Sequence, residues 1–157
     1  MRSAHAWVVA MEFLPSSLLF CCTMNIVRSP MAEGIMKRFH GERIFVDSVG
    51  VRSGEIDPFM VEVMGEIGVD MSGHISKTFD DLEDDSFDYV ISLSPNAQHK
   101  AVDLTRYMAC EVLFWNTFDP TFVEGSRTHR LAAYRNVRDT LHARILDIFP
   151  QMEDGAF

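Results

Sequence analysis

The fold is decided by the stretch SSLLFCCTMNIVRSPMAEGIMKRFHG, Ser16–Gly41. Its apolar run at residues 18–21 predicts a buried strand, and Ser29-Pro30 predicts the start of a helix, with Ser29 as N-cap. Residues 22–28 form a short loop between them. A strand, a tight loop and a helix N-terminus together present backbone N–H groups to an anion. We therefore predict an anion-binding loop with a cysteine at its start and an arginine at its end.

Composition limits the classes of protein to which this chain can belong. The chain has 157 residues, of which 47% are hydrophobic, so one domain with a sizeable core is expected. The net charge of −9 argues against nucleic-acid and anionic-membrane partners. The three cysteines, Cys21, Cys22 and Cys110, have no zinc-site spacing and fit a reducing compartment. We predict a cytoplasmic protein with no metal and no cofactor.

The first 15 residues look separate from the domain. They contain Arg2, but their apolar runs are short and interrupted by Glu12 and Pro15, so the signal-peptide interpretation is weak. We predict an N-terminal extension at residues 1–15 and a single domain at residues 16–157.

The remainder of the chain alternates between two periodicities. Strands are predicted at residues 18–21, 43–49, 89–93 and 111–115, and helices begin at Pro30, Asp57-Pro58, Ser94-Pro95 and Arg127. Four strands alternating with four helices indicate an α/β fold with a parallel sheet covered on both faces. Ligands of such sheets bind at the carboxyl ends of the strands. The loops that hold Cys22 and Asp119 follow strands one and four, so they lie at the same end.

The loop suits chemistry on a phosphate monoester, which is a dianion that repels nucleophiles. Loop N–H groups and the helix dipole neutralise that charge, and the Arg28 guanidinium can bind two oxygens at once. The same positive field favours the thiolate form of Cys22, which can attack phosphorus and form a phosphocysteine. Asp119 can give a proton to the leaving oxygen and later accept one from water.

Spacing separates the candidate residues from their neighbours. Cys22 has five residues between itself and Arg28, whereas Cys21 is predicted to be a buried strand thiol and Cys110 a core residue. Asp57 heads an apolar-periodic helix and is assigned to capping, but Asp119 heads no such segment and is therefore the preferred acid. The predicted phosphate-binding residues are Thr23, Met24, Asn25, Ile26, Val27, Arg28 and Ser29.

These residues carry a family resemblance. The segment CTMNIVRSPMAE, residues 22–33, resembles the active-site motif of the low-molecular-weight protein tyrosine phosphatases, which related arsenate reductases share. Further ordered matches are DSVG at 47–50, DP at 57–58, GVD at 68–70, HISK at 74–77, DYV at 88–90 and DP at 119–120. The resemblance covers nearly the whole chain and implies a three-layer αβα fold around a four-stranded parallel sheet with strand order 2-1-3-4.

The resemblance also implies roles for individual residues. Cys22 is the nucleophile, Arg28 clamps the phosphate and stabilises the transition state, and Asp119 is the general acid. Four further residues resemble the hydrogen-bond network that holds the loop and tunes the thiolate: Asn25, Ser29, Ser48 and His74. The implied ligands are a phosphorylated protein or small phosphomonoester, with phosphate or another oxyanion in the loop.

The sequence departs from the family pattern around the pocket. Met24 stands where the family usually has glycine, and Val27 stands where a second loop cysteine can form a disulfide with the nucleophile. Residues 51–53 lack the usual aromatic wall, and Thr121-Phe122 replaces the usual tyrosines, so Phe122 is the candidate for one wall.

Three functions remain open at this point. The first is hydrolysis of phosphate monoesters. The second is arsenate reduction with an external thiol, because residues 94–108 lack the two cysteines that a thioredoxin-coupled mechanism needs. The third is a non-catalytic phosphate-binding module; Cys22, Arg28 and Asp119 argue against it, and the unusual Met24 keeps it open.

Overall fold

The computed structural model describes residues 14–84 and 86–151. Its strands and helices alternate along the chain, as the sequence predicts. The strands are β1 Ser17–Cys22, β2 Phe45–Gly50, β3 Tyr89–Ser92 and β4 Glu111–Phe114. The helices are α1 Arg28–His40, α2 Pro58–Glu66, α3 Pro95–Leu104 and α4 Arg127–Ile148. Short 3₁₀ turns occupy Phe79–Asp81 and Pro120–Phe122. No helix in the described part of the chain is long and apolar enough to cross a membrane.

The four strands form one parallel sheet in the order β2-β1-β3-β4, which confirms the predicted topology. Strand β1 lies between β2 and β3, with Cys22 opposite Gly50 on one side and Cys21 opposite Ser92 on the other. The chain leaves β1 toward β2 and later returns to β3 on the opposite side. The end of β1 is therefore the switch point at which parallel sheets form their ligand crevice.

Successive residues of β1 face two separate cores. Leu18, Phe20 and Cys22 belong to the larger core, which is shared with α1, α2 and α4. Leu19 and Cys21 belong to the smaller core, which α3 covers. This alternation with a period of two is why a continuous apolar run can serve a sheet that is buried on both faces. The predicted three-layer αβα arrangement is confirmed.

The helix starts follow their local capping signals, with one exception. Asp57 accepts hydrogen bonds from the Phe59 and Met60 N–H groups at the start of α2. Ser94 likewise accepts from the Ala97 N–H at the start of α3. The predicted Ser29 cap is wrong, because α1 begins at Arg28 and its N-cap position carries no side-chain hydrogen bond.

Two other expectations have different outcomes. Cys110 was predicted to lie in the core, but it is half-buried at the start of β4, packed only against the edge of the smaller core. Most of the predicted extension lies outside the described residues. Leu14 within it packs against the larger core, and the division at residue 15 stays a prediction.

Candidate active site

The sulfur of Cys22 lies where β1 ends, under the first turn of α1. Ser29, predicted as a cap, instead directs its hydroxyl at this sulfur, with an Oγ–Sγ distance of 2.9 Å. The Ser29 backbone N–H also donates to Sγ, at 3.4 Å. An N–H at the start of a helix carries partial positive charge, so this geometry favours a negatively charged sulfur. Strand, loop and helix thus converge on one atom.

Asn25 holds the loop in its closed shape. Its φ of 55° lies in the left-handed region, which asparagine tolerates better than most residues. The buried amide donates from Nδ2 to Ser29 Oγ and to Ser48 Oγ, both at 2.8 Å, and its Oδ1 accepts from the Lys77 N–H at 3.0 Å. The structure therefore brings together three of the four predicted network residues around one side chain.

The segment 74–77 supports the loop from outside. His74 Nε2 lies 2.8 Å from the Asn25 carbonyl oxygen, and Ser76 Oγ donates to the Met24 carbonyl at 2.7 Å. With the Lys77 N–H this makes three hydrogen bonds from one short segment to the loop. The sequence reading assigned His74 but missed Ser76 and Lys77. The available signal was the HISK match itself, of which only the histidine was used.

Glu33 is a further residue that sequence reasoning missed. Its buried carboxylate accepts a hydrogen bond from Ser48 Oγ and pairs with Lys37. The i,i+4 spacing to Lys37 predicts only a surface pair. Glu33 also lies four residues after Ser29, however, which places both on the same face of α1. That spacing was the signal that could have identified it.

Arg28 and Asp119 meet at the mouth of the loop. Arg28 is buried, with 7% of its surface exposed, and its guanidinium donates to the Thr117 carbonyl at 3.1 Å and to Thr23 Oγ1 at 3.3 Å. Its remaining contact is with Asp119 Oδ2, at 3.5 Å. These two predicted catalytic side chains are 91 residues apart in the sequence, and the fold brings them into contact.

Asp119 differs from its sequence-based description in one respect. It heads no apolar-periodic helix, but it caps the 3₁₀ turn at Pro120–Phe122. Its Oδ1 accepts hydrogen bonds from the Thr121 N–H at 3.0 Å and from Thr121 Oγ1 at 2.8 Å. The turn holds one carboxylate oxygen and leaves Oδ2 facing Arg28.

Thr23 connects the loop to the other side of the sheet. Its Oγ1 lies 2.8 Å from Asn96 Oδ1 and 3.1 Å from Ser94 Oγ, both at the start of α3. Since Thr23 also accepts from Arg28, the guanidinium is fixed through the first turn of a second helix.

A pocket opens above Cys22 between these side chains. It is lined by Cys22, Met24, Ile26, Val27, Arg28, Asp119 and Thr121. The Met24 methyl group packs so closely on Gly54 that a Cβ there would lie 3.1 Å from it. The Met24 side chain thereby forms an apolar wall of the pocket. Five of the seven predicted phosphate-binding residues lie at this pocket. Four of them line it, namely Met24, Ile26, Val27 and Arg28, and the fifth, Ser29, contacts the Cys22 sulfur. The Thr23 and Asn25 side chains instead support the loop.

The other two cysteines lie away from this pocket. The Cys21 sulfur is 3.7 Å from the Ile91 carbonyl oxygen, within the smaller core. Burial raises the pKa of Cys21 well above its usual value, and the charge of Cys22 adds to the shift. Cys110 stands at the amino end of β4, whereas the pocket lies at the carboxyl ends of the strands. The predicted buried strand thiol is confirmed, and all three cysteines are free.

The rim of the pocket is far less packed than its base. Phe118 and Phe122 flank Asp119 and are 61% and 78% exposed. The role of Phe122 as a substrate wall stays a prediction.

Among residues 14–84 and 86–151, no three His, Cys, Asp or Glu side chains are grouped so that they could hold a metal ion.

Comparison with known proteins gives consistent results. The family model described as low molecular weight phosphotyrosine protein phosphatase matches residues 17–153. An arsenate reductase of Halalkalibacterium halodurans is 34% identical over 128 residues, covering 82% of this chain and 91% of the relative.

Two solved structures show the same fold at higher coverage. The low molecular weight protein tyrosine phosphatase from T. tengcongensis is 25% identical, with a TM-score of 0.70 over 87% of this chain and 99% of that one. An arsenate reductase in the phosphate binding state is 28% identical, with a TM-score of 0.70 over 88% of this chain and 99% of that one.

Proposed function

This chain belongs to the low molecular weight phosphotyrosine protein phosphatase family, and from that premise we propose that it hydrolyses phosphate monoesters through a phosphocysteine on Cys22. One observation carries the proposal. The Cys22 sulfur receives two contacts from Ser29 in a pocket that Arg28 and Asp119 also line. A nucleophile, an anion clamp and a proton donor therefore face one small volume.

In the first step, the Cys22 thiolate attacks phosphorus. The S–P bond forms while the P–O bond to the leaving group breaks, and Asp119 transfers its proton to the departing oxygen. The bond between Arg28 and Asp119 Oδ2 is long, at 3.5 Å, so the guanidinium can turn to the phosphoryl oxygens without losing its bond to Thr117.

In the second step, water completes the hydrolysis. Asp119 now accepts a proton from water, the water oxygen attacks phosphorus, and the S–P bond breaks to return the thiolate. The Ser29 hydroxyl and N–H stabilise the sulfur as it regains charge. Inorganic phosphate then leaves the loop.

The proposal is tested by hydrolysis of p-nitrophenyl phosphate without metal, between about pH 5 and pH 7. Cys22→Ser abolishes turnover, whereas the matched control Cys21→Ser retains it because that sulfur lies in the opposite core. Asp119→Ala slows phenyl phosphate more than p-nitrophenyl phosphate, since the poorer leaving group depends more on the proton. If the wild-type protein hydrolyses neither ester, the proposal is refuted.

The second candidate is arsenate reduction with an external small thiol. It is supported by the 34% identity to a relative named arsenate reductase and by Cys22 as the one cysteine at the pocket. Arsenate-dependent consumption of glutathione that requires Cys22 would favour this candidate. The third candidate, a non-catalytic phosphate-binding module, would show tight phosphate or vanadate binding without turnover.

The proposed partner is a phosphorylated protein or a small phosphomonoester, with phosphate as product in the loop. The likeness to an arsenate reductase in the phosphate binding state supports an oxyanion ligand. We propose the cytoplasm as the compartment, because a reducing environment keeps the free thiol of Cys22 in the active form.

A further inference from the structure

A second cavity, of about 420 Å³, lies beside the catalytic pocket. Ile26 lines both of them, so the two have this side chain as a common wall. The far wall comes from α4, through Arg130 and Tyr134, and the floor from the start of α2, through Phe59. A group attached to a substrate phosphoryl that extends past Ile26 would reach this cavity.

The arginine of the far wall is held in a fixed position against the floor. The Phe59 ring packs edge-on against Tyr134, with centroids 5.4 Å apart. The Arg130 guanidinium lies over the same Phe59 ring, 4.7 Å from its centroid. Stacking on an aromatic face orients a guanidinium while its N–H groups remain available at the edges.

Arg130 differs from its neighbour Arg127 in its charge partners. Arg127 also lies over Phe59, at 5.8 Å, but it forms an ion pair with Glu62 and does not line the cavity. Arg130 has no acidic partner within residues 14–84 and 86–151. An oriented arginine without a carboxylate, beside a catalytic pocket, is available to a ligand.

The two carboxylates of the cavity do not satisfy this arginine. Asp57 uses one oxygen to cap α2 and accepts the Tyr134 hydroxyl with the other, at 2.7 Å. Glu55 is exposed at the edge and makes no ion pair in the described part of the chain. Arg130 is close enough to act on its surroundings, because its charge opposes the rise in the pKa of Tyr134 that burial and Asp57 produce.

We propose that this cavity binds a carboxylate of the substrate through Arg130, so that the enzyme favours phosphorylated peptides with Asp or Glu beside the phosphorylated residue. The inference rests on the proposed function for its substrate class. A protein of net charge −9 repels acidic peptides in general. A positioned arginine beside the pocket gives such a peptide one favourable orientation.

The test compares two phosphotyrosine peptides that differ only in having Glu or Gln on both sides of the phosphotyrosine. For the wild type we expect kcat/KM to be about three- to fivefold higher for the Glu peptide, mostly through KM. Arg130→Gln removes the preference, and Arg130→Lys restores part of it. Arg127→Gln is the matched control and retains it. Hydrolysis of p-nitrophenyl phosphate stays unchanged in Arg130→Gln, since this ester has no carboxylate.

A binding measurement separates this inference from the proposed function. In the Cys22→Ser background, the Glu peptide should bind about three- to fivefold more tightly than the Gln peptide at low salt, and less so at high salt. This readout needs no turnover, so it holds even if the protein proves not to be a phosphatase. Equal affinities, no detectable binding of either peptide, or a preference that survives Arg130→Gln would overturn the inference.

Discussion

The base and the rim of the active site are built in opposite ways. At the base, the Asn25 side chain makes three hydrogen bonds and is fully buried. At the rim, Phe118 and Phe122 stand largely in solvent beside Asp119. The base positions reacting atoms, for which small displacements are costly. The rim residues carry little packing, so substitutions there change the fold less than substitutions at the base. The contrast teaches that the chemistry of this chain is more firmly fixed than its specificity.

The strongest way to break this contrast is to remove Asn25. Asn25→Ala removes the hydrogen bonds that the amide makes to Ser29, Ser48 and the Lys77 N–H, and it places an alanine in a left-handed conformation. We expect a loss of about 3 kcal/mol in unfolding free energy and about a hundredfold in kcat/KM. Chemical denaturation and p-nitrophenyl phosphate kinetics measure both.

Asn25→Gly serves as its control. Glycine adopts the left-handed φ readily, so Asn25→Gly avoids the backbone strain of alanine but restores none of the hydrogen bonds. Activity that recovers along with stability would mean that loop shape alone, rather than the amide network, supports catalysis.

A pair of serines compares the packed base with an exposed position. Ser48→Ala leaves the Asn25 amide and the Glu33 carboxylate each one partner short in a buried site. A loss of about 1–3 kcal/mol in stability and a several-fold fall in kcat are expected. Ser53→Ala, at an exposed position in the loop after β2, should change stability by less than about 0.5 kcal/mol. Equal effects at the two positions would show that the hydrogen bonds at the base contribute no more than an exposed side chain.

An ion-pair cluster between α2 and α4 offers a test through pH. Hydrogen bonding from Arg135, together with the nearby Arg138, lowers the pKa of Glu66 to about 2. Because the folded-state pKa is lowered, this stabilisation is present above the unfolded pKa of about 4.3 and is lost as the pH falls toward 2.

Glu66→Gln should therefore cost at most about 1 kcal/mol at pH 7, with the difference from wild type shrinking in acid. Thermal unfolding at several pH values measures it. The kcat for p-nitrophenyl phosphate should not change, since Glu66 lies outside both pockets. A fall in kcat would show that packing remote from the base also positions the catalytic groups.

The smallest effect is expected at the rim itself. Phe122→Ala removes a ring that is 78% exposed, so stability should change by less than about 0.5 kcal/mol. Turnover of p-nitrophenyl phosphate should stay within about twofold, whereas KM for a phosphotyrosine peptide should rise if the ring forms a substrate wall. An unchanged KM for the peptide would remove Phe122 from the substrate-binding surface.

The features that the sequence predicted correctly depend on short-range signals. Each of these features depends on neighbours within a few residues. They are the apolar run into Cys22, the helix starts at Asp57-Pro58 and Ser94-Pro95, and the alternation of strands and helices. The failure at Ser29 has the same origin. Local propensity favours a serine cap, but the hydroxyl is used by Cys22, seven residues away. The competing partner was invisible to a capping rule.

The remaining parts of the site depend on contacts across the fold. Ser76 reaches the Met24 carbonyl over 52 residues, and Arg130 reaches Phe59 from a different helix. Charge and spacing alone cannot reveal such pairs, because they arise from packing. Asp119 was identified through its place after β4, but its capping of a 3₁₀ turn was not, since three residues carry no periodicity.

The central place of β1 in the sheet also has a consequence for the order of assembly. β1 is the first strand in the described part of the chain, but its neighbour β3 begins at Tyr89, and the segment that supports the catalytic loop ends at Lys77. Closing such long stretches of chain is slow compared with forming a helix. The catalytic loop therefore precedes the segments that complete it and is among the last parts of the fold to be finished. Recovery of activity during refolding should consequently lag behind recovery of helical signal, which makes catalysis a reporter of finished folding.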